Sequence, residues 1–330
     1  MIDYVVSTLT LGAIWCVFTY ALNVTWGWTG QLDLAVFMFV ALGAYVYSVV
    51  CGPPANAALG ITWILGLRLP FFVGLLAAMV VTGLVGLLVG GIALRRLRDD
   101  YFAITTVVTT LTVYAVIAQF QPLFNGFTGI YGVPQPLAAF LNLPPTLYGI
   151  FLFGYVLVVL AIVIAVMYAI FHSPYGRRMR AVREDEKAAA AFGRDVYAVK
   201  LQAYVIAAVV AGLGGALMGA FLTAFNSYAW QVGETFLIYA AIFVGGSGSI
   251  RGVLLGTFFI AVLVQEVTRL LVVIPGNAYA GDALRYMIVG LLIIAVLWWR
   301  PQGLIPEPRD RDDTTRLPEP GPAPSAVQHG

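Results

Sequence analysis

Charge in this chain is confined to a few compact segments, and the runs between them are apolar. Residues 1–94 carry three charges, Asp3, Asp33 and Arg68. Residues 95–100 carry five, residues 172–200 eleven and residues 300–330 nine. The remaining six are Glu234, Arg251, Glu266, Arg269, Asp282 and Arg285. Only 10% of residues are charged and 61% are hydrophobic, against about 25% charged in soluble domains. One core cannot hide that many apolar side chains, so lipid must solvate most of them. A soluble enzyme, a nucleic-acid-binding module and a disordered chain are all excluded. The pattern is that of an all-α membrane protein, a polytopic helical bundle of about eight to ten transmembrane helices with broken or re-entrant segments.

Nine apolar segments are long enough to cross or enter a bilayer: 4–22, 32–50, 70–94, 101–120, 147–171, 201–225, 235–247, 253–274 and 283–299. The segment 235–247 is short enough to be re-entrant, and 61–69 fits a short interfacial helix. Lysine and arginine then set the sidedness. Arg95, Arg96 and Arg98, the seven basic residues between Arg177 and Lys200, then Arg251, and Arg300 onward occupy alternate connections. The connections 121–146, 226–234 and 275–282 have no Lys or Arg. With the basic connections inside, nine crossings place the N-terminus outside and the C-terminus in the cytoplasm. Residues 1–300 read as the transmembrane domain, and the proline-rich 301–330 as a disordered cytoplasmic tail. Met1-Ile-Asp-Tyr lacks the basic start of a signal peptide, so the first apolar run is expected to stay as a span.

Catalytic chemistry finds no support. A phosphate-binding loop needs Gly-Lys-Ser/Thr, but the two lysines, Lys187 and Lys200, follow Glu186 and Val199. No ATP site of that kind exists in the chain. His172 and His329 have no companions for a metal site, and Cys16 and Cys51 make no disulfide framework. The expectation is a protein that is not an enzyme, with no catalytic residues, no metal and no nucleic-acid partner.

Three kinds of segment remain. In the basic connection, Ser173 suits a helix N-cap with Pro174 in the first turn. The stretch from Glu184 through Phe192 is rich in helix formers, with acids in its first turn and Gly193 placed to end it. Two short surface helices follow, with Ala188–Ala191 offering a small face for close approach. At 29 residues the connection is long for a link between spans; the bland alternative is a basic loop obeying the positive-inside rule. Next, glycine-rich breaks interrupt apolar segments at Asn23–Asp33 and at Gly245-Gly-Ser-Gly-Ser-Ile-Arg-Gly252. Such breaks either expose backbone to a ligand path or make tight turns. Gly212, Gly215, Ala216 and Gly219 read as helix packing. Last, Glu266 with Arg269 and Asp282 with Arg285 have i, i+3 spacing and read as ion pairs.

These segments, in this order, resemble the LivM-type permease subunits of branched-chain amino acid ABC importers. The matching stretches are Gly27-Trp-Thr-Gly-Gln-Leu32, Gly43-Ala-Tyr45, Arg96-Leu-Arg-Asp-Asp-Tyr-Phe-Ala-Ile104 and Thr128-Gly-Ile-Tyr-Gly-Val-Pro134. They continue with Ser173-Pro-Tyr-Gly176, Arg183-Glu-Asp-Glu186, Gly193, Gly245-Gly-Ser-Gly-Ser249, Gly252, Gly256 and Pro301-Gln-Gly-Leu304. The resemblance covers Asn23 to Leu304. It implies that 173–193 is a cytoplasmic coupling loop related to the EAA element of importers. Arg183, Glu184, Asp185, Glu186, Ala188, Ala189 and Gly193 would then serve contact with an ATPase. It implies a translocation path touching Asn23, Trp28, Thr29, Gly30, Gln31, Asp33, Thr128, Gly129, Gly245, Gly246 and Ser247. It also implies a heterodimer with a LivH-type permease in the bacterial inner membrane, two ATPase subunits that use the ATP, and a periplasmic substrate-binding protein. This chain itself then carries no cofactor. Two departures stand out. Glu186 falls one place early in the EAA pattern, and Asp33-Leu-Ala-Val36 replaces the usual Ser-Leu-Gly-His. Two other readings stay open: a permease of the same kind for urea, short amides or aromatic acids, and an ion-coupled secondary transporter using Asp33, Glu266, Arg269 or Asp282.

Overall fold

The computed structural model describes residues 2–54, 66–96, 99–138, 143–264, 280–300 and 302–306. Among these residues the chain is helical and has no β-strand, with one isolated bridge at Ile130 and Phe225. The α-helices of six residues or more are α1 (Ile2–Leu22), α2 (Val36–Cys51), α3 (Phe71–Arg96), α4 (Asp99–Gln119), α5 (Pro145–His172), α6 (Pro174–Glu184), α7 (Glu186–Ala191), α8 (Val196–Leu222), α9 (Gly233–Gly245), α10 (Ile250–Phe258) and α11 (Ala280–Trp299). All but α6 and α7 are apolar and fall on the nine expected segments, of which residues 265–274 of the segment 253–274 lie outside the described residues. Five are long and apolar enough to cross a membrane, counting α1 with its extension to Trp28; α2, α9, α10 and α11 hold shorter apolar stretches. Residues 66–70 form no helix, so that much of the expected interfacial helix at 61–69 is absent. Glu266 and Arg269 lie outside the described residues, as do the side chains of Asp282 and Arg285.

Helix α8 is the spine of the bundle. It packs along α2, α3 and α1, while α5 lies against α1, the α9–α10 pair against α1 and α11 against α9. Small residues make this possible, since helices in lipid associate through close van der Waals contact and not through the hydrophobic effect. A methyl group on Gly215 would overlap the Val40 carbonyl, and one on Gly43 the Gly212 carbonyl. Large side chains point the other way. Phe72, Leu76, Val80, Leu84, Leu88 and Ile92 repeat every fourth residue on α3, and each is between 59% and 65% exposed. Such a stripe is what an apolar helix facing lipid or a partner helix exposes.

The connections gather at two ends. Arg183 of α6 reaches the Gly27 carbonyl, and the Tyr197 hydroxyl donates to the Gly91 carbonyl (3.3 Å) near the end of α3. Leu304 N–H donates to the Val244 carbonyl (2.9 Å) and Ile305 N–H to the Gly245 carbonyl (3.0 Å). So the basic connections after α3, α5, α9 and α11 share one end. The backbone of residues 304 and 305 is bonded into that end. At the far end, Ile130 and Phe225 exchange backbone hydrogen bonds of 2.9 Å, and the Tyr47 hydroxyl donates to the Pro134 carbonyl (3.0 Å).

Candidate functional site: the basic end

Helix α1 does not stop at Leu22. It widens into a π-helical turn, Asn23–Trp28, and then unwinds until α2 begins at Val36. Such turns inside apolar helices mark places where backbone groups are freed. Here the side chains of the break in turn satisfy backbone groups of the distant α9–α10 turn. Gly248 N–H donates to Asn23 Oδ1 (2.9 Å), and the Trp28 indole N–H donates back to the Gly248 carbonyl (3.1 Å). The Tyr20 hydroxyl donates to the Ile250 carbonyl (2.8 Å). The break therefore holds the α9–α10 turn in a fixed place.

Asp33 is fully buried within the unwound segment. Its Oδ1 accepts from Ala35 N–H (2.9 Å) and its Oδ2 from the Thr25 hydroxyl (3.4 Å). Its own N–H donates to the Tyr239 hydroxyl (3.0 Å), which donates to the Asp33 carbonyl (2.8 Å). This carboxylate braces the entrance to α2. Gln31 Nε2 donates to the Thr29 hydroxyl (2.7 Å) and to the Lys200 carbonyl (3.2 Å).

The surface loop closes over this break. In α6 the Ser173 hydroxyl accepts from Gly176 N–H (3.2 Å), the N-cap its sequence predicts. Tyr175 donates to the Val199 carbonyl (3.3 Å), and burial pushes its phenol up to about 12. Helix α6 ends at Glu184, so the acids do not all lie in one first turn. Asp185 instead caps α7, accepting from Lys187 N–H (2.8 Å) and Ala188 N–H (3.0 Å). Gly193, at φ 75°, ends α7. Its N–H donates to the Ala190 carbonyl (2.9 Å) and Arg194 N–H to the Ala189 carbonyl (3.1 Å), the paired closure that a left-handed residue allows. Glu186 forms an ion pair with the buried Lys200, giving the acid displaced in the EAA pattern a definite partner.

One expected surface residue faces the other way. Ala189 is buried, whereas Ala188, Ala190 and Ala191 are exposed and Phe192 is 85% exposed. The outer face of α7 is therefore Ala188, Ala191 and Phe192, and Ala189 is its inner packing contact. Tyr239 was not marked by any local pattern; it enters through a contact with Asp33, 206 residues away in sequence.

The residues expected along one path divide between the two ends. Asn23, Trp28, Thr29, Gly30, Gln31 and Asp33 lie at the basic end with the Gly245-Gly246-Ser247 turn. Thr128 and Gly129 lie at the far end, where Asn125 Nδ2 donates to the Gly129 carbonyl (2.7 Å) and a methyl on Gly129 would overlap the Phe225 carbonyl. Among the described residues no group of three or more His, Cys, Asp and Glu is placed to hold a metal ion.

A family model described as the permease component of branched-chain amino acid transport systems matches residues 4–297. The chain is 28% identical over 324 residues to the high-affinity branched-chain amino acid transport system permease protein LivM of Escherichia coli K12, covering 92% of this chain and 70% of that protein. It is 26% identical over 242 residues to a probable LivM permease of Methanocaldococcus jannaschii, covering 71% and 68%. It is also 24% identical over 311 residues to the LivH permease protein of Salmonella typhimurium, covering 91% and 94%. No solved structure matches the chain.

Proposed function

We propose that this chain, which belongs to the family of permease components of branched-chain amino acid transport systems, forms half of a translocation path with a LivH-type permease. It is a multi-pass membrane protein of an ABC importer. Its cargo would be a branched-chain or related amino acid, delivered to the far end by a binding protein. Two ATPase subunits would dock on the basic end and supply the energy. The orientation this needs, basic end in the cytoplasm, follows from the arginine asymmetry. A cysteine placed at the exposed Phe127 should react with an impermeant thiol reagent in intact cells, and one at the exposed Arg178 only after permeabilisation. The reverse pattern would invert the protein.

The observation that supports this reading best is the bond between Arg183 on the surface loop and the Gly27 carbonyl in the π-helical turn. A force applied to α6 and α7 reaches the broken end of α1 directly. From there it reaches the α9–α10 turn through Trp28 and Asn23. The exposed Ala188, Ala191 and Phe192 are the natural contact with the ATPase: an aromatic anchor beside a surface small enough to enter a groove. Replacing Ala188 with arginine and Phe192 with aspartate should leave the fold and its thermal midpoint unchanged, since both are exposed. The assembled importer should lose ATPase co-purification and leucine uptake together. Normal uptake with normal co-purification would show that α7 is only a connection between spans.

A further inference from the structure

We propose that the cleft beside Arg68, at the far end of α3, is a binding site for an anionic phospholipid. Its phosphate would rest on the Arg68 guanidinium and one acyl chain would lie along α3. Arg68 is the lone Lys or Arg among the first 94 residues and belongs to the end whose other connections have none. An exposed cation on that side is the exception to the sequence's own charge pattern. No carboxylate pairs with it among the described residues, and the adjoining segment 55–65 has no Asp or Glu in its sequence.

Its position is fixed. Arg68 N–H donates to the Gly52 carbonyl (3.3 Å) and Leu69 N–H to the Val50 carbonyl (3.2 Å), tying the segment to the end of α2. Arg68 lines an open cleft of about 520 Å³ with Pro53, Pro70, Phe72, Pro134 and Gln135. The cleft offers one charge and mostly apolar walls, the combination an amphiphile with a single anionic group requires.

The walls continue into the exposed stripe of α3. From Phe72 to Leu84 the stripe runs about 18 Å at 1.5 Å per residue, close to one leaflet of a hydrocarbon core roughly 30 Å thick. A guanidinium at the head of a leaflet-long apolar track matches the two parts of a phospholipid. Lipid phosphate also suits Arg better than Lys, because the planar fork can bind two oxygens at once.

The test uses the complex with the second permease, purified in mild detergent and studied by native mass spectrometry after exchange into phosphatidylglycerol or phosphatidylcholine of equal chain length. The wild type should retain one more phosphatidylglycerol than R68Q, with retention at that site about tenfold lower in the variant and only partly restored in R68K. Leu76→Ala with Val80→Ala, which leaves the cation in place, should also weaken retention. Equal retention in wild type and R68Q would overturn the proposal. So would displacement of the lipid by inorganic phosphate or by leucine at millimolar concentration, which would make the cleft a site for a free anion or for cargo. Loss of the partner permease from the Leu76/Val80 variant, with lipid retention unchanged, would overturn it by making the stripe a protein interface.

Discussion

Gly215→Leu should abolish the folded protein. At this position α8 crosses α2 so closely that even one methyl group would coincide with the Val40 carbonyl. The neighbouring crossings are similar: Gly212 faces Thr82 of α3, and Gly219 faces Ala44. A side chain that meets another side chain can rotate away. One that meets a backbone carbonyl forces the helices apart, and α8 has helices packed on several sides. Overpacking a well-filled core costs about 1–3 kcal/mol, and more where backbone must move. Separating α8 from α2 also forfeits the van der Waals contact that holds helices together in lipid. The expected result is loss of the monodisperse protein after solubilisation, or a collapse of its thermal midpoint. Gly154→Leu is the matched control, because nothing lies within 4 Å of a Cβ placed there and α5 is exposed at that residue. It should be neutral or stabilising by roughly 0.5–1 kcal/mol from helix propensity. Comparable loss in both variants would mean that any leucine in these helices is harmful and that the crossing has no special role.

The contrast shows what kind of feature a sequence carries openly. Span positions were legible because lipid rewards long uncharged runs, and the caps at Ser173 and Gly193 because they depend on residues within one turn. The glycine stripe of α8 was legible as packing, though not which helix it would meet. The interior of the basic end was hidden for a different reason. Asp33 and Tyr239 are 206 residues apart, and Trp28 and Gly248 are 220 apart; no local periodicity announces such pairs. The resemblance alone put Asp33 on the path. Its oxygens are taken by Ala35 N–H and Thr25, so in this conformation it braces the break. Ala189 could not be distinguished from its neighbours because four consecutive alanines give no polar face to read. Thr128 and Gly129 were placed on the same path as the break by the resemblance alone; the fold puts them beside Phe225 at the other end.

Arg183→Gln should uncouple the importer while leaving it assembled. Arg183 donates to the Gly27 carbonyl from the surface loop, across the gap between α6 and the end of α1. Glutamine is shorter and neutral, so it gives up both the reach and the charge. A hydrogen bond to a charged donor contributes about 1.5–3 kcal/mol, which is tenfold or more in an equilibrium between two states. The docking face of α7 is untouched by this change. Asp185 still caps α7 and Glu186 still pairs with Lys200. ATPase subunits should therefore co-purify as before and hydrolyse ATP, while uptake per ATP falls at least about tenfold, since a coupling free energy of this size is what links two sites. Arg183→Lys keeps the charge but not the planar fork and should recover part of the loss. A purely structural role for Arg183 makes a different prediction. Thermal midpoint, ATPase retention and uptake would then fall together in the glutamine variant, and the lysine variant would restore stability first. Unchanged uptake per ATP in Arg183→Gln would show that the loop does not act on α1 through this bond.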